Sequence, residues 1–141
     1  MRVLAVDVGT RRVGLAISDA TRTLARPLTT ITVTDAADAV ARVADTIAKL
    51  SAEDDGLSVV VVGLPARLDG TPNEATARAR AFVDVLKTRT AIPIATEDER
   101  LSSREAESRL AVREKDWRKR KAKLDAAAAA VILQDYLDRA R

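Results

Sequence analysis

The sequence predicts an α/β fold in which a five-stranded mixed sheet is flanked by helices. Three short strands follow one another in hairpin-like succession, over residues 2–8, 13–19 and 27–33. Two more, at 57–62 and 92–96, alternate with helical segments. The fourth strand is a continuous β-branched run, which is typical of strands buried in parallel sheets. The predicted element order is βββαβαβαα, as expected of one α/β domain over residues 1–141.

Four helical segments complete this order. Residues 35–50 carry apolar side chains at helical spacing, namely Ala36, Val40, Val43, Ile47 and Leu50. The second helix reaches about residue 88 and opens with an N-cap residue, a proline at the first helical position and a glutamate at the third: Thr71, Pro72 and Glu74. A capping-box signature predicts a short helix over 102–112, and the last helix spans 124–141.

Composition narrows the possible chemistry by elimination. The chain has 141 residues, 47% of them hydrophobic, and contains neither cysteine nor histidine. Disulfides, thiol nucleophiles, the usual zinc sites, imidazole bases and Ser-His triads are therefore excluded. Carboxylates, hydroxyls, lysine and arginine remain, and these favour hard cations such as Mg²⁺ or Mn²⁺. No apolar run approaches the ~20 residues of a membrane span and no signal peptide is evident, so a soluble cytoplasmic protein is expected.

Acidic residues occur at three places that this topology directs to one edge of the sheet. Asp7 lies on an apolar strand that otherwise looks buried, where an ionised acid needs a cation or donors. The run Glu97-Asp98-Glu99 closes the fifth predicted strand, at the carboxyl edge where open α/β sheets place their sites. Asp125 falls in the first turn of the last predicted helix and shares a side with apolar residues: Ala129, Ile132 and Tyr136.

These acids also have ordinary explanations. Asp7 precedes a tight turn bracketed by Gly9 and Gly14, and aspartate is a common turn residue. An aspartate in a first helical turn is stabilised by the helix dipole by about 0.3–1 kcal/mol, which would account for Asp125. Converging carboxylates nevertheless repel one another unless cations lie among them. Their shared edge therefore favours a divalent-cation site.

Basic residues are concentrated near the end of the chain. Residues 113–123 hold seven basic and two acidic side chains, with the only tryptophan, Trp117, in the middle. Such a segment is a plausible contact for phosphates and bases, and its members include Arg118, Lys119, Arg120 and Lys121. The alternative is a solvated charged segment. Because it lacks an apolar stripe, we expect a loop that is mobile in the free protein and orders on nucleic acid.

Four motifs spread along the chain carry a resemblance to a known family. They are Asp7-Val8-Gly9-Thr10 with Gly14-Leu15-Ala16-Ile17-Ser18-Asp19, Val62-Gly63-Leu64-Pro65 with Asp69-Gly70-Thr71, Asp98-Glu99-Arg100-Leu101-Ser102-Ser103, and Leu124-Asp125-Ala126-Ala127-Ala128-Ala129 with Ile132-Leu133-Gln134. In these motifs the sequence resembles the YqgF/RuvX family. The resemblance implies an RNase H-like fold related to the Holliday-junction resolvases. It also implies a nuclease that acts in 5′-end maturation of the 16S ribosomal RNA precursor.

The resemblance implies an acidic site of Asp7, Glu99 and Asp125, with Asp98 as the neighbouring alternative to Glu99. Such carboxylates can hold two divalent ions, Mg²⁺ or Mn²⁺, for phosphodiester hydrolysis. Near a phosphate, Thr10 could supply its hydroxyl and Arg11 or Arg100 a positive charge, although both arginines also have ordinary surface or salt-bridge explanations.

Several alternatives remain open. The family includes enzymes regarded as RNA-processing and as junction-resolving, and a resolvase would need a two-fold homodimer to cut symmetrically. The Asp-x-Gly-Thr turn is also similar to the phosphate turn of the actin, sugar-kinase and Hsp70 ATPases. Those proteins clamp ATP between two copies of the domain, whereas 141 residues supply one. A third possible class of protein is a non-catalytic nucleic-acid-binding module of the same fold. It is disfavoured because Asp7, Glu99 and Asp125 are all present.

Overall fold

Five strands form one mixed sheet in a computed structural model of the protein. The structure describes residues 1–65, 69–98 and 117–140; in the last of these ranges, side chains are described only from residue 125 onward. In chain order they are β1 (Arg2–Val8), β2 (Arg12–Ser18), β3 (Ala25–Thr32), β4 (Leu57–Leu64) and β5 (Ile94–Asp98). Their order across the sheet is β3-β2-β1-β4-β5. The pairs β1–β2 and β2–β3 are antiparallel, whereas β1–β4 and β4–β5 are parallel. The predicted five-stranded mixed sheet is confirmed.

Three helices lie within the described ranges: α1 (Ala36–Ala52), α2 (Glu74–Leu86) and α3 (Trp117–Arg139). The short helix predicted over 102–112 lies outside those ranges. No helix in the described part of the chain is both long and apolar enough to cross a membrane.

The start of α2 differs from the prediction. Its N-cap is Asn73, whose side chain accepts a hydrogen bond from the Thr76 N–H at 3.0 Å. The Thr76 hydroxyl accepts in return from the Asn73 N–H at 2.9 Å, which completes a capping box. Thr71 is instead held by Asp69, whose carboxylate accepts from the Thr71 N–H at 2.9 Å. Both threonine and asparagine are good caps, and the reciprocal pair satisfies two otherwise unpaired donors.

The start of α3 also differs. This helix begins at Trp117, not at residue 124, so the stretch 117–123 is helical where a loop was predicted. Arginine, lysine and alanine have high helix propensities, which can extend a helix without an apolar stripe. Asp125 therefore lies about two turns inside the helix, and its position is not explained by a place in the first turn.

Each face of the sheet carries its own apolar core. Alternate residues of β1 point to opposite faces, so Leu4, Val6 and Val8 pack with α1 and α2, whereas Val3 and Ala5 pack with α3. The first core is built from large side chains. The second includes small ones, among them Ala5, Ala16 and Ala129, together with Ile132, Leu133 and Leu137 of α3. The two cores thus differ in how closely they let a helix approach the sheet.

Candidate active site

Asp7 occupies the last but one position of β1 and is half-buried. It alternates in register with Val3 and Ala5, so it lies on the face covered by α3. After β1 the chain turns sharply, with the Gly9 N–H donating to the Arg12 carbonyl at 2.9 Å. A methyl group on Gly9 would lie 2.6 Å from that carbonyl oxygen, so the turn depends on glycine. The turn brings β2 back alongside β1 and so determines which residue of β2 lies beside Asp7.

Gly14 is the residue that stands directly opposite Asp7 in the β1–β2 pair. A methyl group at Gly14 would lie 2.0 Å from the carbonyl oxygen of Asp125 and 2.9 Å from the amide nitrogen of Ala126. The main chain of α3 therefore rests on β2 at this point, with no room for a side chain between them. Because of this contact, Asp7 and Asp125 lie on the same face of the sheet, across one strand pair from each other.

Asp125 is paired with Arg12, the first residue of β2. Its Oδ2 atom is buried and lies 2.8 Å from Nε of Arg12. The two side chains retain 25% and 35% of their exposure, so the pair lies at the rim of the helix–sheet contact. The carboxylate thus already stands beside a positive charge. Oxygen donors of this kind suit Mg²⁺ or Mn²⁺, so Asp7 and Asp125 fit the metal that was predicted from the sequence.

Glu97 is a buried acid that was not among the predicted site residues. It pairs in register with Gly63, is 4% exposed, and forms an ion pair with Arg139 at the end of α3. Burial raises the pKa of the Glu97 carboxyl above its ordinary value near 4.5, and the charges of Asp135 and Asp98 act in the same direction, while Arg139 opposes them. The predicted strand ended at Thr96. A strand two residues longer would have put Glu97 in alternation with Ala95, and that pattern is the signal that was available.

Asp98 lies on the other side of the sheet edge. It is the last residue of β5 and pairs in register with Leu64. It lines a cavity of about 300 Å³ together with Thr76 and Arg80 of α2. The structure therefore separates Asp98 from Asp7 and Asp125. Glu99, the third predicted acid, and Arg100 lie outside the described residues. Within the described ranges, no group of three acids is close enough to hold a metal ion.

The predicted nucleic-acid contacts fall in two places. Thr10 and Arg11 are exposed at the turn after β1, where the Arg11 carbonyl accepts from the Val33 N–H at 2.8 Å. The second group lies in the first turns of α3 and consists of Trp117, Arg118, Lys119, Arg120 and Lys121. Only the main chain of these five residues is described. At 1.5 Å per residue, this group precedes Asp125 by roughly 6–12 Å along the helix axis.

Comparison with known proteins identifies the family and the individual proteins that this chain resembles. The family described as RuvX, Holliday junction resolvase, matches residues 1–139. A protein of Anaeromyxobacter dehalogenans (strain 2CP-1 / ATCC BAA-258), named as a candidate pre-16S rRNA nuclease, is 42% identical over 139 residues, which are 99% of this chain and 98% of the relative. A protein of Roseiflexus sp. (strain RS-1) with the same name is 40% identical over 140 residues, 99% and 96% of the two chains.

Solved structures give the same fold. RuvC of Thermus thermophilus, in complex with a Holliday junction substrate, matches with a TM-score of 0.54 at 17% identity and covers 99% of this chain and 96% of its own. A second RuvC structure from that organism matches with a TM-score of 0.51, at the same identity and coverage. This likeness confirms the RNase H-like fold. Since the family match spans nearly the whole sequence and relatives at about two-fifths identity align end to end, the chain belongs to the RuvX (YqgF) family.

Proposed function

We propose that this chain is a divalent-metal-dependent nuclease that acts as a single RNase H-like domain. The observation that carries the proposal is the contact between Gly14 and the main chain of Asp125. It holds Asp125 against the strand pair, opposite Asp7, at the sheet edge where α/β folds place their sites. Glu99, next in sequence after β5, is the proposed third acid.

The chemistry of the donor set supports a metal here. Asp7 and Asp125 supply only carboxylate oxygens, which are the ligands that Mg²⁺ and Mn²⁺ prefer. Asp7 and Asp125, with Glu99, would hold two divalent ions, which would supply a nucleophilic water and stabilise the leaving oxygen of a phosphodiester.

The surrounding residues have the charges that a nucleic acid needs. Thr10 and Arg11 are exposed on the turn that follows Asp7 and would contact a phosphate beside the scissile one. The basic residues at the start of α3 would bind the backbone of the strand, and Trp117 would stack on an unpaired base. In this proposal Arg100 joins Arg11 in neutralising phosphate charge.

For the substrate we propose a 16S rRNA precursor, processed at its 5′ end in the cytoplasm. The names of the relatives from Anaeromyxobacter and Roseiflexus support this choice. The family description supports a branched-DNA alternative, in which a homodimer would resolve Holliday junctions. The two substrates make different demands, because symmetric cutting needs two sites and 5′-end trimming needs one.

The experiment offers purified protein three substrates side by side, with Mn²⁺, with Mg²⁺ or with a chelator: a 16S precursor fragment, unstructured single-stranded RNA and a four-way DNA junction. We expect cleavage of the precursor that requires the metal and is abolished in Asp7→Asn. Preferential cleavage of the junction by a dimer would favour the resolvase alternative. Binding of all three substrates without cleavage would contradict the proposal and favour a non-catalytic binding module.

A further inference from the structure

We propose that Arg12 forms an ion pair with Asp125 in the metal-free chain, competes there with a divalent cation, and is displaced when the cation binds. The proposal rests on the metal site proposed above and adds to it a competition between a side chain and the metal. Its basis is the contact of 2.8 Å between Arg12 Nε and the buried Oδ2 of Asp125.

The main chain on both sides of this contact is fixed. Arg12 opens β2, where it pairs in register with Thr32 of β3, and its carbonyl accepts the Gly9 N–H that closes the turn. Asp125 is held from below, because its carbonyl lies where a Gly14 side chain would be. Neither backbone can move far without breaking the helix–sheet contact. A change of partner at Oδ2 must therefore come from the side chains.

The arginine side chain is the one free to leave. It is 35% exposed at the rim of the contact, so it has solvent into which it can swing. A divalent ion on the Asp125 carboxylate would bring a second positive charge to an oxygen that already contacts a guanidinium, and the two cations would repel each other. Because the metal carries the larger charge and needs direct oxygen ligands, we expect it to take the carboxylate and release Arg12.

Arg11 provides a matched control. It has the same side chain and lies in the same turn, but it is exposed and bonds to the fold through its carbonyl oxygen, which accepts from the Val33 N–H. Arg12→Gln and Arg11→Gln each remove one positive charge within a residue of the other. A difference between them therefore reports the ion pair with Asp125 and not the general field of the protein.

The first measurement is Mn²⁺ affinity, by electron paramagnetic resonance or calorimetry, without nucleic acid. Removal of a competing ion pair worth about 1 kcal/mol, at the upper end for a partly exposed pair, corresponds to a Kd that is lower by about fivefold. We expect about this change for Arg12→Gln and a change several times smaller for Arg11→Gln. Equal effects of the two variants, or weaker Mn²⁺ binding in Arg12→Gln, would overturn the proposal and make Arg12 a fixed support for Asp125.

The second measurement is thermal unfolding with and without saturating Mn²⁺. Without metal, Arg12→Gln should lower the Tm because the ion pair is removed; with metal, the deficit should vanish because Arg12 has already been released. A deficit of the same size in both conditions would contradict the proposal. Tighter Mn²⁺ binding in Arg12→Gln, together with no cleavage of any substrate by the native chain, would instead leave this proposal standing and defeat the proposed nuclease. Cleavage by the native chain, with the same Mn²⁺ affinity in Arg12→Gln as in the native chain, would support the proposed nuclease and overturn this proposal.

Discussion

Helix α3 brings two acid–arginine pairs against the same face of the sheet, and the two pairs differ in where the charge is exposed. Asp125 and Arg12 both keep part of their surface at the rim of the contact. Glu97 is buried, whereas its partner Arg139 is 67% exposed. An acid open at the rim can exchange its partner for an incoming cation, whereas burial makes Glu97 harder to ionise than a free carboxyl and shields it from such a cation. The first pair therefore suits the proposed metal site, and the second suits docking of the helix.

The largest expected effect is on cleavage activity, which should distinguish Asp125 of the first pair from Glu97 of the second. Asp125→Asn and Asp7→Asn keep the shape of the side chains and remove metal ligands, so cleavage should fall by orders of magnitude while circular dichroism stays native. Glu97→Gln should keep most of the activity. Cleavage by Asp125→Asn at a near-normal rate would end the distinction between the two pairs.

The same assay decides between the acids at the end of β5. Glu99→Gln should abolish cleavage, whereas Asp98→Asn should not, because Asp98 lies by register on the α2 side of the sheet. An inactive Asp98→Asn together with an active Glu99→Gln would reverse this assignment.

The start of α3 can be tested by its charge. Replacing Arg118, Lys119, Arg120 and Lys121 with alanine should weaken nucleic-acid binding and flatten its salt dependence by about 0.7–0.9 in slope for each phosphate that is no longer neutralised. Alanine preserves the helix, so the Tm should change little. A control variant with alanine at Lys49, Lys87 and Arg89, which are exposed on other elements, should keep the slope. If the four-alanine variant keeps it too, the nucleic acid binds elsewhere.

Gly14→Ala tests the contact that positions Asp125. The added methyl group would overlap the Asp125 carbonyl, so α3 must shift, at an expected cost of about 1–3 kcal/mol in the free energy of unfolding. Activity should fall further than stability explains, since the acid moves with the helix. Gly56→Ala is the control. Alanine is strained at the φ of 60° that Gly56 adopts, but its methyl group would lie no closer than 3.6 Å to Met1 atoms. Gly56 precedes β4, remote from Asp7 and Asp125. Its activity should track its stability alone.

The smallest expected effect is a pH dependence of stability at Glu97. Because the folded-state pKa is raised, the contribution of Glu97 is fully present below its ordinary value near 4.5 and disappears as the pH rises through the raised pKa. Glu97→Gln, which is always neutral, should therefore gain stability relative to the native chain as the pH rises from below 4.5 through the raised pKa. Urea unfolding at a series of pH values measures this gain. A gap that stays constant with pH would show that burial does not govern this acid.

The sequence was sufficient where local patterns and strand alternation decide the structure. The apolar runs of β1, β2 and β4 predicted the sheet. Asp7 and Asp125 were predicted to meet at one edge of the sheet, and the structure has both on the face that α3 covers. The Arg12 pair could not be predicted, because it depends on the β1–β2 turn and on a helix more than a hundred residues further along the chain. Glu97 was missed because the end of β5 is set by its pairing with β4, and such boundaries carry little local signal. The early start of α3 was missed because its first turns lack an apolar stripe.

The small residues under α3 have a consequence for how this protein can change over time. On the α1 and α2 side, valine, leucine and isoleucine can exchange for one another, since a core tolerates swaps that conserve volume. Under α3 the main chain of Asp125 rests on Gly14, and a larger residue at that position would push Asp125 away from Asp7. A larger residue at Gly14 would therefore be selected against through loss of cleavage before it is selected against through loss of folding.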